Sequence, residues 1–241
     1  MQQLNDLLGY SNRKIYQNSD WFAFSLDSVL LANFVTLRPS TKKILDIGTG
    51  TAPIPLILSL RTKAKIVGIE IQKDVASLAW QSVLENKLEE QINIIGEDVK
   101  EYAKTMEADS FDVIVCNPPY FKITSKNFHN QDIHKTLARH EVSLQLESIF
   151  GVVRKLLKNN GTFALVHRTE RMMEILKLCR DYGLEPKKIQ FVYPKVGTNS
   201  NIILIEAAKH GKPGIKVVEP LVIHDQNNNY SEQYQQFLKE E

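Results

Sequence analysis

The chain has 241 residues, of which 43% are hydrophobic, and a formal net charge of +2, so it is long enough for one full α/β core. Its near-neutral charge balance permits a nucleic-acid partner without demanding one. No apolar run approaches the roughly 18 residues that cross a bilayer, and the segment Met1 to Asp6 lacks the basic and apolar regions of a signal peptide, so a cytoplasmic protein with no membrane partner is expected.

The two cysteines, Cys116 and Cys179, form no CxxC and join no His/Cys cluster with ligand spacing. Buried thiols, no metal and a reducing compartment are expected. Internal repeats and low-complexity tracts are absent.

In chain order, the segment up to Lys43 precedes the first expected strand. Within it, Phe24 to Phe34 reads as a helix, with Ser25 or Asp27 as its cap. Val29, Leu30, Phe34 and Leu37 supply the apolar face that would cover a sheet edge. Ile44 to Leu56 then reads as strand, glycine-rich turn and helix, with Pro53 and Pro55 near the helix start. The turn is Asp46-x-Gly48-x-Gly50, without the third glycine of a dinucleotide loop or the Gly-Lys-Ser/Thr of a phosphate loop. Asp46 adds negative charge, which suits a cationic ligand bearing an amino group better than a pyrophosphate.

Lys65 to Glu70 is the second strand. Glu70 lies 20 residues after Gly50, close to the spacing at which an acid binds ribose hydroxyls. Lys73 to Leu88 reads as an amphipathic helix, and Gln91 to Gly96 as the third strand. Asp98, at its end, has two readings of equal weight: acceptor for an adenine amine, or N-cap of the short helix Val99 to Thr105.

Phe111 to Cys116 is an apolar fourth strand that stops at Asn117-Pro118-Pro119-Tyr120-Phe121. Proline has no N–H for a ladder and pushes its predecessor into extended backbone. Asn117 and Tyr120 are therefore presented from a stiff turn at a carboxyl strand end, where ligands of open α/β sheets bind.

The stretch Lys122 to His140 is long, polar and basic, with Lys122, Lys126, Lys135 and Arg139 among its cations. It reads as a lid or binding loop for phosphates, with a plain solvated loop as the alternative. A helix follows from Val142 to Leu157, closed by a left-handed residue at Asn159-Asn160-Gly161. Gly161 to His167 is strand five, Arg168 to Tyr182 a helix stopped by Gly183, and Glu185 to Tyr193 and Asn201 to Ala207 are strands six and seven. Tyr230 to Leu238 reads as a docked helix. Together these give an α/β fold, a doubly wound, seven-stranded, mostly parallel sheet with an antiparallel last strand. One domain over 1–241 is expected, with a core at 44–207 between an N-terminal extension (1–43) and a C-terminal one (208–241).

With these residues assembled, the chain resembles the class I S-adenosylmethionine-dependent methyltransferases. Asp46-x-Gly48-x-Gly50, Glu70 and Asp98 match their cofactor motifs, and Asn117-Pro118-Pro119-Tyr120 matches the catalytic motif of those that act on amino groups. Phe24 to Ala32, Ala138 to Glu141, Tyr193-Pro194-Lys195 and Pro220 to Asp225 further resemble the bacterial valine tRNA adenine-37 N6-methyltransferase family.

The resemblance implies a Rossmann-like fold and S-adenosylmethionine as cofactor, held by Asp27, Asp46, Gly48, Thr49, Gly50, Glu70, Ile71, Asp98, Val99 and Asn117. It implies catalysis by Asn117, Pro118, Pro119 and Tyr120. Substrate contacts then fall to Tyr120, Phe121, Lys122, Lys126, Lys135 and Arg139. The partner implied is the anticodon loop of a tRNA, and a monomer is expected.

The residues themselves argue for a planar nitrogen target, because two oxygen acceptors at the turn can draw an amine toward a tetrahedral form. A protein glutamine N5-methyltransferase acting on a release factor shares that chemistry but carries a helical N-terminal domain. A DNA adenine methyltransferase usually needs a base-recognition domain. A non-catalytic RNA-binding module would be expected to have lost the glycine loop or the Asn-Pro-Pro-Tyr turn.

Overall fold

The structure is a computed structural model and describes residues 2–8, 10–18, 26–118 and 146–239. Ser25, Pro119, Tyr120, Phe121 and the basic stretch from Lys122 to His140 lie outside the described residues.

The chain opens on a hairpin that the sequence reading did not anticipate. β1 (Gln2–Leu7) and β2 (Tyr10–Asn18) pair antiparallel. Among its described residues three side chains enter the core, Leu7, Tyr10 and Ile15; Leu4 is exposed and most of the rest is polar, so period-two alternation is nearly invisible. α1 (Leu26–Phe34) follows. Asp27 lies inside its first turn rather than capping it. The helix buries Ser28, Val29, Leu30, Leu31, Ala32 and Phe34, and a helix apolar nearly all round is one enclosed by other elements.

The central alternation runs β3 (Lys43–Ile47), α2 (Pro53–Arg61), β4 (Lys65–Ile69), α3 (Lys73–Glu85), β5 (Ile92–Ile95), α4 (Val99–Thr105) and β6 (Phe111–Cys116). It continues with α5 (Leu146–Leu156), β7 (Leu157–Arg168), α6 (Met172–Asp181), β8 (Leu184–Lys195) and β9 (Ile202–Lys209). Two short strands, β10 (Lys216–Val217) and β11 (Leu221–His224), and a last helix, α7 (Glu232–Lys239), complete it.

The sheet order is β10-β8-β9-β7-β6-β3-β4-β5, with β11 also on β8. β9 runs antiparallel to both its neighbours, β7 and β8; the other pairs are parallel. The seven expected strands are thus present, and β10 and β11 extend the sheet to nine. Two and four residues long, these added strands are too short to show a period.

Helices cover both faces. One apolar cluster joins the hairpin, α1, α2 and Tyr234 of α7; the other joins α4, α5 and α6. The left-handed residue expected within Asn159-Asn160-Gly161, after α5, is Asn160, at φ 58°. Gly161 instead makes room, since a Cβ there would meet Leu157 Cδ1 and Lys158 O at 2.8 Å and Asp112 O at 3.0 Å.

Candidate active site

Strand alternation explains which side chains meet. On β3, Ile44 faces the α1/α2 cluster and Leu45 the opposite one; on β6, Val113 and Val115 face α1/α2 and Ile114 faces away. Counting on in twos puts Asp46, Glu70 and Asn117 on the α1/α2 face at the carboxyl ends of three adjacent strands. Sheet register sets Asp46 beside Gly68 on one side and Val115 on the other.

The turn after β3 is held in left-handed backbone at Gly48 (φ 70°), Gly50 (φ 57°) and Ala52 (φ 70°). The first two need no Cβ; Ala52 bears the modest strain of a non-glycine residue there. The turn packs onto β4, where Thr49 N donates to Ile69 O at 2.9 Å. Gly68 permits that approach, for a Cβ would meet Thr49 Oγ1 at 2.8 Å and Ile94 Cδ1 at 2.9 Å. A glycine inside a strand signals such closeness, and the sequence reading passed over it.

Glu70 clamps the same turn. Its Oε2 accepts from Gly50 N at 3.1 Å and its Oε1 from Gln72 N at 2.9 Å. Burial raises its pKa and these backbone donors oppose the rise. Each oxygen keeps a further lone pair, so the clamp is compatible with ribose hydroxyls.

Asp46 is fully buried, and Thr49 Oγ1 donates to its Oδ2 at 2.7 Å. Burial pushes its carboxyl up to about 7, against the Thr49 hydrogen bond and with help from the Glu70 charge. Among the described residues, Asp46 Oδ1 is a buried acceptor without a hydrogen-bond partner. Among the described residues nothing lies within 4 Å of a Cβ built on Gly50, so none of them fills the space beside the turn. An unsatisfied buried acid beside an open glycine turn fits a ligand that brings a cationic amine, as S-adenosylmethionine does.

Further along the edge, the half-exposed Ile71 follows Glu70 and buried Val99 follows Asp98, two apolar surfaces suited to a flat ring. Asp98 caps α4, accepting from Lys100 N at 2.8 Å. Asn117 stands just past β6, and its Nδ2 donates to Ser28 Oγ on α1 at 3.0 Å. Ser28, 5% exposed, escaped the sequence reading because a serine in an apolar helix carries no pattern. Asp27 sits beside it in the same turn. Pro118 follows in sequence, and Pro119, Tyr120, Phe121, Lys122, Lys126, Lys135 and Arg139 are outside the described residues. The described residues hold no group of three metal-ligating side chains.

Comparison with known proteins agrees with this geometry. Residues 39–211 match the methyltransferase domain family. The chain belongs to that family. The methyltransferase is 32% identical over 216 residues to a protein of Bacteroides thetaiotaomicron named tRNA1(Val) (adenine(37)-N6)-methyltransferase, covering 89% of this chain and 87% of the other. A protein of the same name from Aeromonas hydrophila is 28% identical over 232 residues, covering 94% of this chain and 93% of its own. Among solved structures, a predicted O-methyltransferase from Agrobacterium tumefaciens superposes with a TM-score of 0.71 at 18% identity, over 89% of this chain and 96% of that one. It shares the fold.

Proposed function

We propose that this methyltransferase acts as one domain, 1–241, and transfers a methyl group from S-adenosylmethionine to the N6 amine of an adenine in tRNA. Position 37 of valine tRNA, in the anticodon loop, is the target that the names of its relatives support. The observation that carries the reading is the Asn117 amide, oriented by Ser28 at the carboxyl end of β6, next to the Asp46–Glu70 turn.

Bound S-adenosylmethionine supplies an electrophilic methyl group on a sulfonium. Asp46 would hold the cofactor's ammonium, Glu70 its ribose, and Ile71, Val99 and Asp98 its adenine. Asn117 then works on the substrate. An adenine amine is conjugated with its ring and is a weak nucleophile. With Nδ2 committed to Ser28, the amide oxygen of Asn117 is the end that accepts one amine hydrogen, and the Pro118 carbonyl accepts the other. Two acceptors on one nitrogen localise its lone pair and aim it, which is positioning plus electrostatic stabilisation and needs no strong base. Tyr120 and Phe121 would stack on the base, and Lys122, Lys126, Lys135 and Arg139 would contact phosphates. A loop nucleotide leaves its stack more cheaply than a paired one, which favours an RNA loop.

No helix among the described residues is long and apolar enough to cross a membrane. A cytoplasmic monomer without a metal is the form proposed. Mass spectrometry of nucleosides from tRNA incubated with purified protein and labelled cofactor tests the reading. Labelled N6-methyladenosine is expected. Label on protein amides instead, or none on adenine, would overturn it.

A further inference from the structure

The rim of the sheet does not end at the active site. Reading across the carboxyl edge, Cys116 of β6 is level with Leu165 of β7, and Arg168, three residues on, is level with Ile202 of β9. Ile202 is level with Val192 of β8. β8 continues past that partner, and Tyr193 to Lys195 pair instead with β11, which places Lys195 opposite His224. The far side of the rim therefore stands higher than the strand that carries Asn117, four strand spacings or about 19 Å across the sheet.

An aromatic pair crowns this ledge. His224 and Tyr230 are bridge partners across a short turn, with ring centroids 5.3 Å apart and planes 22° from parallel. Tyr230 is 43% exposed, whereas Tyr234, 4.9 Å from it, is fully buried and anchors α7. The core thus uses Tyr234 and leaves Tyr230 and its stacked partner at the surface, where Tyr230 is exposed.

The pair is rigid. His224 Nδ1 donates to Pro194 O at 3.2 Å. Asp225 Oδ1 closes the turn by accepting from Asn227 N at 2.8 Å and Asn229 N at 2.9 Å. Register puts Lys195 beside the pair and Arg168 between it and Asn117, so two cationic residues flank the path along the rim.

We propose that the His224–Tyr230 pair is a second stacking platform, which holds an unpaired base of the same RNA while another base is extruded at Asn117. The idea rests on the tRNA reading above. Pre-stacked rings backed by a locked turn lose little freedom on binding. An aromatic face beside cations matches what single-stranded RNA offers, bases and phosphates together. Extruding one base of a loop unstacks its neighbours, and a platform beyond the rim gives one of them a new surface.

The test uses the full chain and unmodified tRNA. First, the wild type is assayed for methyl transfer; if it methylates no adenine, the reading of function fails and takes this proposal with it. If it does, Tyr230→Ala should raise the KM for tRNA by about 5-fold to 150-fold, the range of one lost base–aromatic stack. kcat and calorimetric cofactor affinity should change less than about two-fold, and Tyr230→Phe should restore KM. An unchanged KM in a folded Tyr230→Ala variant overturns the platform. So does a KM defect that Phe leaves uncorrected, or one matched by a loss of cofactor affinity. Should the alanine variant not fold, wild-type protein is crosslinked by ultraviolet light to tRNA carrying 4-thiouridine. Adducts on the peptide containing His224 or Tyr230 are expected, and crosslinks confined to other peptides contradict the proposal.

Discussion

Ser28 Oγ accepts a hydrogen bond from Asn117 Nδ2 at 3.0 Å, tying the helix that follows the N-terminal hairpin to the residue just past β6. The two lie 89 positions apart, and in the proposed mechanism their meeting sets which end of the amide turns toward substrate. Ser28→Ala should lower kcat by roughly 5- to 10-fold, the worth of one hydrogen bond of about 1 kcal/mol, with cofactor affinity nearly unchanged. Single-turnover kinetics together with calorimetry separate the two effects. A loss of affinity with kcat intact would show that Ser28 serves the cofactor instead.

Asp46 makes stability and ligand affinity depend on pH in opposite directions. Burial holds its carboxyl near 7 in the folded protein, against 3.8 for an ordinary aspartate. Between those values the folded state holds a proton that the unfolded state has lost, so this residue makes stability fall as pH rises from about 4 to about 7. The Tm of Asp46→Asn should therefore depend less on pH than the wild type's. An amine-bearing cofactor favours the ionised form, so its affinity should weaken below about pH 7 and its binding should release a proton. Calorimetry in buffers of different ionisation enthalpy measures that release, and its absence would remove Asp46 from the cofactor site.

Two glycines separate function from fold. At Gly50 a Cβ meets nothing, but the backbone is left-handed at φ 57°. Gly50→Ala should cost about 1 kcal/mol of stability and lower cofactor affinity by more than that strain accounts for. At Gly68 the Cβ collides with Thr49 and Ile94, so Gly68→Ala should destabilise the whole domain by roughly 1–3 kcal/mol. Chemical denaturation and cofactor titration on both variants distinguish the cases; equal effects on both readouts would contradict this division.

Glu70 accepts from Gly50 N and Gln72 N with different oxygens. Glu70→Gln retains one oxygen but puts an N–H against a backbone N–H, so cofactor affinity should drop at least 10-fold, as expected when a charged acceptor is lost. Titration gives the answer directly, and native affinity would exclude Glu70 from the ribose.

The basic stretch around Lys122 to Arg139 should make RNA affinity fall steeply as salt rises, through release of counterions. Filter binding between 50 and 200 mM salt measures the slope. A flat profile would leave those cations without a phosphate role.

The residues of the candidate site that the sequence singles out are brought to one end of three adjacent strands. Glu70 and Asn117 stand out because each ends an apolar run, and Asp46 because it interrupts one just before the glycine turn. What joins them was harder to read. Ser28 looks like any small polar residue in a helix, and its value lies in a contact 89 positions away. Gly68 offered a signal, a glycine among β-branched residues, which needed the turn above it to acquire meaning. The hairpin at Gln2 to Asn18 was missed because only Leu7, Tyr10 and Ile15 are buried, so its alternation is mostly between polar and polar. Asp98 had two readings, and the cap was found while the ring contact belongs to the proposal. The left-handed stop expected within Asn159-Asn160-Gly161 is there, at Asn160, whereas the need for Gly161 to leave space shows only in three dimensions.

The central claim is that the Asn117 amide oxygen holds the target nitrogen. The rate of methyl transfer to tRNA by Asn117→Ala, at saturating cofactor and with cofactor affinity measured in parallel, tests it most directly. The account predicts a fall of at least about 100-fold in kcat, the scale of losing one preorganised polar group at the reacting centre, in a protein that still binds cofactor. Transfer at the native rate would contradict it.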